Sequence, residues 1–510
     1  MLAKTRSYAL NGVDGYAVGV EVDLNAGLPS YDTVGLADTS VKESRERVRS
    51  AIKNSLLRYP LHKIVINLAP ADSKKEGSHF DLAIAVAILA ASEQLEGRAY
   101  QDYVFLGELS LDGSLHHVNG IMPLLIAAMQ SGYTKFVVPS ANAAEAAYVA
   151  GTQVYALDNL RQVYELLSDG ETHAPLETKT FVAGRTEDKY HVDFAEVKGQ
   201  YLAKRALEIA VAGGHNVLMI GPPGAGKTMM AKCVPTIMPD MTFEEAIEVT
   251  KIHSIAGVLD PTVGIVASRP FRTPHHTVTI PALMGGGTKA KPGEVSLAHN
   301  GVLFLDEMPE YQRRTLETMR QPLEDGAVTV SRAKQTLEYP AKFMLVASMN
   351  PCPCGNLGSS TQQCKCSAAE IHRYLAKLSG PLLDRIDLQI EVDGVAYEDL
   401  RSAERAESSA SIRERVNRAR EIQRQRYRGT GVYTNAAMTN AQVQRYCALD
   451  DACEEILRGA FRKLNLTARA STRILKVART IADLENRESI GISHITEAIQ
   501  YRSLDRKYWE

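Results

Sequence analysis

Residues 216–234 read NVLMIGPPGAGKTMMAKCV. An apolar run of strand length leads into Gly221-Pro222-Pro223-Gly224-Ala225-Gly226-Lys227-Thr228, and a helix-forming stretch follows. The octapeptide is G-x-x-x-x-G-K-[ST] between a strand and a helix, the context its mechanism requires. Glycines allow successive backbone N–H groups to wrap phosphates, and the helix N-terminus turns its positive dipole end toward them. Lys227 is then the contact to the β- and γ-phosphates and Thr228 a Mg²⁺ ligand. By itself the pattern also fits a Gly-rich turn before a helix, so its neighbours matter.

Two further apolar runs supply them. GVLFLDE (301–307) ends in paired carboxylates. Asp306 sits where an acid holds the Mg²⁺ shell, and Glu307 where a base can deprotonate an attacking water. KFMLVASMN (342–350) ends at Asn350, a polar tip suited to the γ-phosphate or that water, although a strand-ending Asn is also common in turns. With DLQIEV (387–392) these runs alternate with helical stretches, which predicts a mostly parallel sheet with crossover helices over 192–394.

The chain has 510 residues, enough for about three domains. Its 45% apolar and 23% charged residues are ordinary globular values. The net charge of −2 excludes a globally basic nucleic-acid binder, so any such role needs a local patch or a pore shared by several subunits. The N-terminus lacks an apolar signal core, and LAIAVAILAA (82–91) is too short to span a bilayer. Residues 1–168 mix strands (VGVEVDL, KIVINLA, KFVVP) with helices (FDLAIAVAILAAS, IMPLLIAAMQSG). A polar, patternless stretch, 169–191, reads as a linker. Residues 395–510 read as helical, and RSAERAESSASIRERVNRAREIQRQRYR (401–428) as one long helix.

Four of the seven cysteines fall in MNPCPCGNLGSSTQQCKCS (349–367), as Cys352/Cys354 and Cys364/Cys366. Two thiol pairs on a short loop suit tetrahedral Zn²⁺ of the closed, structural kind, although Cys-x-Cys is tighter than the usual Cys-x₂₋₄-Cys. Reduced thiols or a redox pair remain the alternative. Cysteine is otherwise sparse, which fits a reducing, cytoplasmic location.

The stretches GHNVLMIGPPGAGKTMMAK, RPFRTPHHTVTIPALMGGG, PGEVSLAHNGVLFLDEMPEY, ASMNPCPCGN, GPLLDRIDL and TARASTRILKVARTIADLE together resemble the AAA+ ATPases, and more narrowly the magnesium-chelatase-like group of YifB/ComM layout. The resemblance implies a multidomain α/β protein with a Lon/S5-like α+β N-terminal domain, a P-loop α/β core and a C-terminal helical lid. It implies ATP and Mg²⁺ as ligands and a hexameric ring. It also implies a DNA helicase or translocase driving branch migration in homologous recombination and natural transformation. The motor subunit of a magnesium-chelatase-type metal insertion complex is the alternative.

The same resemblance assigns further residues. LLDRIDL matches the segment presenting an arginine finger to a neighbouring subunit, which makes Arg385 the candidate; a local pair with Asp384 or Asp387 is the other reading. TARASTRILKVARTIADL resembles the helix of the second sensor, with Arg469 the better match and Arg473 the alternative. DGAVTVSRAKQTLEYPAKF alternates like a hairpin and resembles a pore hairpin, so Arg332 and Lys334 would form a basic collar on DNA. RTPHHTVTIPALMGGGTKAKPGE resembles a helix-2 insertion. Adjacent His275 and His276 are expected to diverge and to pack rather than ligate a metal. Residues 1–168 resemble the Lon protease domain, but His79 stands at the nucleophile position, one after Ser78, and Met122 replaces the lysine base. Methionine cannot take a proton from serine, so a non-catalytic domain is expected.

Overall fold

A computed structural model describes residues 1–169, 173–184, 191–287, 290–331, 336–358, 362–394, 406–464 and 466–509. The chain is multidomain α/β and divides into two compact units. One comprises Met1–Val182 with Phe243–Val266, the other Ala183–Thr242 with Ala267–Glu510.

The first unit is built on a seven-stranded mixed sheet. Its order is Ser30–Val34, Lys63–Ala69, Asp14–Asn25, Leu2–Asn11, Tyr103–Phe105, Lys135–Pro139 and Gln153–Leu157. Leu2–Asn11 and Asp14–Asn25 pair antiparallel from Leu2↔Asp23 to Asn11↔Asp14 through a two-residue turn opening at Gly12, whose φ of +66° suits a residue without Cβ. Helix Asp81–Ala91 is buried along its whole length, which explains its lack of a polar face. Residues 173–182 dock back on this unit: the Leu176 and Lys179 N–H groups donate to Val154 O (2.7 Å) and Ala147 O (2.9 Å). Helix Phe243–Ala256, far along the chain, joins the same unit. Ser254 Oγ accepts the Gly120 N–H at 2.8 Å, and a Cβ on Gly264 would fall 2.2 Å from Ala144 O.

The second unit holds a five-stranded, all-parallel sheet in the order Phe271–Arg272, Val302–Leu305, Met344–Met349, Val217–Ile220, Leu388–Glu391. The four long strands are those the apolar runs predict. The fifth, Phe271–Arg272, ends where the segment read as an insertion begins and is too short to show a pattern. The strands with paired neighbours on both sides are wholly buried, as parallel strands covered on both faces must be.

The helical C-terminal part packs in this unit. Helix Ser409–Arg426 starts at a Ser408 cap, whose side chain accepts from the Ser411 N–H; of the long helix expected over 401–428, residues 401–405 lie outside the described residues. Helices Asn440–Tyr446, Asp451–Lys463, Ala468–Leu484 and Ile492–Gln500 follow. Val416, Ala419, Ile474, Val477 and Ile481 share one core with the sheet strands and with helix Tyr201–Gly213. No described helix is long and apolar enough to cross a membrane.

Candidate nucleotide site

The parallel sheet decides which strand ends meet. Val217–Ile220 lies beside Met344–Met349, which lies beside Val302–Leu305, so three carboxyl ends open on one crevice. Gly224 and Gly226 have φ of +79° and +88°, and a Cβ on either would meet nothing within 4 Å. Their backbone is therefore exposed over an open cradle. Gly221 is constrained differently: a Cβ there would lie 2.0 Å from Val392 O, so only glycine lets the loop leave the sheet.

Lys227 is buried, and its Nζ donates to Gly221 O (2.7 Å), Pro222 O (2.8 Å) and Asn350 Oδ1 (3.3 Å). Burial pulls its pKa down, while Asp306 and Glu307 act to raise it. Its hydrogen-bond acceptors are all neutral oxygens, so no carboxylate holds it in a direct pair and it has charge to offer a phosphate. Thr228 Oγ1 donates to Asp306 Oδ2 at 2.9 Å, bringing together the hydroxyl and carboxylate that a hard divalent cation takes. The residues present thus fit ATP with Mg²⁺.

Glu307 leaves its strand in the left-handed region, φ +50° and ψ +48°. Such a conformation costs about 1–3 kcal/mol in a non-glycine residue. It is held by the Glu307 N–H, which donates to Asp306 Oδ1 (3.1 Å) and Ser348 Oγ (3.2 Å), while Ser348 Oγ also donates to Asp306 Oδ1. The turn leaves the Glu307 side chain exposed at the mouth of the crevice. Ser348 was not singled out in the sequence, although one hydroxyl inside an otherwise apolar run is the signal that could have found it.

Arg385 bonds to none of these groups. Its Nη1 donates to Pro381 O at 2.7 Å and its Nη2 pairs with Glu324, not with Asp384 or Asp387. Asp387 serves another purpose. It accepts the Asn216 N–H at 3.1 Å, pairs with Arg473, and lies 3.4 Å from His215 Nδ1. Burial acts to raise the Asp387 pKa, but Arg473 and His215 outweigh it and hold the carboxyl well below the usual range. Arg473 is therefore committed, whereas Arg469, one turn earlier, is exposed and has no polar partner among the described residues.

The four cysteines cluster. Their Sγ atoms all lie within 4.8 Å of one another, with Cys352 3.4 Å from Cys354 and 3.6 Å from Cys364, and Cys354 3.6 Å from Cys364. Tetrahedral Zn–S bonds of about 2.3 Å require S···S edges of about 3.8 Å, so the donor set fits that ion. Backbone N–H groups of Lys365 and Asn356 bring the Cys354 thiol down to about 6. The tight Cys-x-Cys spacing is no obstacle, because the two pairs come from opposite limbs of the loop. The loop also abuts the phosphate cradle: a Cβ on Gly355 would fall 2.6 Å from Pro223 Cδ.

Other expected residues are placed as follows. Strands Ala327–Ser331 and Thr336–Pro340 pair antiparallel, but Arg332 and Lys334 lie outside the described residues. His275 and His276 do not diverge. Their ring centroids are 4.0 Å apart because the chain bends there, with His275 Nδ1 2.9 Å from Thr277 Oγ1. In the N-terminal unit Ser78 Oγ donates to Glu108 and His79 Nε2 lies 2.9 Å from Tyr8 O, so the two form no dyad. Met122 is fully buried.

Comparison with known proteins matches this arrangement along its length. The family model described as magnesium chelatase, subunit ChlI, matches residues 193–400; those of subunit ChlI of Mg-chelatase and of the ChlI C-terminal region match 20–142 and 406–502. The chain is 44% identical over 508 residues to competence protein ComM of Haemophilus influenzae, covering 99% of this chain and 98% of that protein. The chain belongs to the YifB/ComM family. It is an AAA+ ATPase of the magnesium-chelatase-like kind, a family that implies ATP and Mg²⁺. YifB of Escherichia coli is 42% identical over 509 residues, covering 99% of this chain and 98% of that protein. Lon protease 2 of Bacillus subtilis is 30% identical over 153 residues, covering 28% of this chain and 26% of that protein, a likeness that accounts for the Lon-like N-terminal fold.

Proposed function

We propose that the protein is an ATP-driven hexameric translocase on DNA that moves branched recombination intermediates during uptake of foreign DNA. The observation that carries this reading is full-length similarity to a competence protein, supported by a crevice that brings Lys227, Thr228, Asp306 and Asn350 together. In the reading, the Gly221–Thr228 loop binds the triphosphate and Lys227 exchanges its carbonyl contacts for phosphate oxygens. Bound Mg²⁺, held through Thr228 and Asp306, would neutralise charge on those oxygens. Glu307 accepts the proton of the attacking water, and Asn350 orients it or the γ-phosphate. Arg385 acts on a neighbouring subunit's nucleotide, Arg469 on its own, and Arg332 with Lys334 grip DNA in the pore. Cys352, Cys354, Cys364 and Cys366 hold a structural zinc ion that stiffens the loop between Asn350 and Arg385. The N-terminal domain is non-catalytic.

ATP turnover with and without single-stranded and branched DNA tests the reading. Stimulation and strand displacement are expected. Turnover indifferent to DNA, with no displacement, refutes it and favours the motor of a metal-inserting complex, the reading that the chelatase family models support. Glu307→Gln should retain nucleotide and lose hydrolysis.

A further inference from the structure

A cleft of about 550 Å³ opens between helices Ser409–Arg426, Asn440–Tyr446 and Ala468–Leu484 and the loop that follows the last of them. Four arginines line it, Arg426, Arg445, Arg479 and Arg487, against a single lining carboxylate, Glu488. The floor is asymmetric in charge. Arg426 makes a two-pronged pair with Asp483 (2.6 and 2.7 Å), and Arg479 Nε donates to the same carboxylate at 3.1 Å. One buried carboxylate thus serves two guanidiniums and leaves a surplus positive charge. The remaining Arg479 donors hold the Arg487 and Glu488 carbonyls, which fixes the loop that forms one wall.

At the rim, Arg445 and Arg487 are exposed, and neither side chain has a hydrogen bond or ion pair among the described residues. Arg445 lies over the Tyr446 ring, 5.1 Å from its centroid, with Arg426 6.0 Å from it. The aromatic ring therefore orients two cations without neutralising them. This concentration of positive charge stands out on a chain whose net charge is −2.

We propose that this cleft is a phosphate-oxyanion site, separate from the nucleotide crevice, in which Arg445 and Arg487 close on a phosphate drawn in by the surplus charge of the floor. Guanidiniums match phosphate oxygens in fork geometry, and the two at the rim have no carboxylate among the described residues to give up for a phosphate. The phosphate comes from a nucleic-acid backbone or from a free phosphate or nucleotide. The first source rests on the translocase reading; the second does not.

The test uses the full chain and the double substitution Arg445→Gln/Arg487→Gln. Both side chains are exposed, so the melting temperature should not change. Binding of a labelled single-stranded oligonucleotide is followed against salt, and the slope of log K against log[salt] should flatten by about 1.4 if two backbone contacts are lost. In parallel, thermal stabilisation by pyrophosphate is measured in a Lys227→Ala background, which removes the P-loop contact. A flattened slope assigns the cleft to the backbone. An unchanged slope with pyrophosphate stabilisation lost assigns it to free phosphate. If both responses survive the substitution, the proposal is overturned. A parent chain that binds no DNA refutes the translocase reading alone, because the pyrophosphate arm still decides the cleft.

Discussion

Asp387→Ala should loosen the attachment of the lid to the ATPase sheet. Asp387 sits at the start of strand Leu388–Glu391, is 6% exposed, and joins the Asn216 N–H ahead of the P-loop strand to Arg473 on helix Ala468–Leu484. Removing one partner of a fully buried ion pair costs about 3–5 kcal/mol, and an exposed pair contributes about 0–1 kcal/mol. The Arg473 side chain is 24% exposed and can turn to water, so the loss falls between these limits. Adding the orphaned Asn216 N–H gives about 3 kcal/mol. For a unit of this size that is a fall of about 5 °C in melting temperature. The pH dependence has a definite sign. The folded carboxyl ionises below its ordinary value of about 3.9, so its contribution is present above that value and is lost as pH falls through the folded one. Calorimetric melts of parent and variant should differ clearly at pH 7, and the gap should narrow as pH falls toward 3. A difference under about 1 °C at pH 7, or one undiminished at pH 3, would refute the assignment of Asp387 as an ionised tie.

Ser348→Ala should leave ATP affinity little changed. It should lower the turnover number by about 10–100-fold, the rate equivalent of losing a hydrogen bond to a charged group, since Asp306 and the Glu307 N–H lose their shared partner. Equal turnover in single-turnover assays would show that the hydroxyl does not set the acid turn. Metal analysis of protein purified without chelators should find about one zinc per chain, lost in Cys364→Ser together with several degrees of thermal stability. A metal-free parent contradicts this. Burial pushes the Glu145 carboxyl up to about 7, against hydrogen bonds from Ser254, the Met122 N–H and Asn142. The folded state then holds a proton that the unfolded chain releases above about pH 4.3, so stability falls as pH rises from there to 7. Glu145→Gln should therefore melt progressively higher than the parent as pH is raised from 5 to 7.5. A pH-independent difference counts against a protonated Glu145.

The nucleotide loop, the acidic strand end and the cysteine loop were legible because each is a local pattern. Gly221 to Thr228, Asp306 with Glu307, and Cys352 to Cys366 each lie within one turn or loop of chain. The sheet class was legible for the same reason, since buried parallel strands read as apolar runs. Partnership across the sheet was not. Arg385 offered two nearby carboxylates in sequence and pairs with neither, because helix Arg320–Asp325 brings Glu324 to it from 61 residues away. His275 and His276 are neighbours whose rings an extended chain separates and a bend brings together. Helix Phe243–Ala256 carries no mark of the unit it joins; its Ser254 is committed by Gly120, 134 residues earlier.

The sequence by itself determined the glycine-rich loop and the acidic strand end, because these are made of backbone geometry and residues adjacent in the chain. Tertiary structure alone decided that Ser348 braces the acidic turn, that Asp387 binds Arg473 while Arg469 has no polar partner among the described residues, and that four arginines of the helical region face one cleft. Each of these depends on strand order and helix packing. Those are set by the balance of burial over the whole unit, which no local pattern encodes.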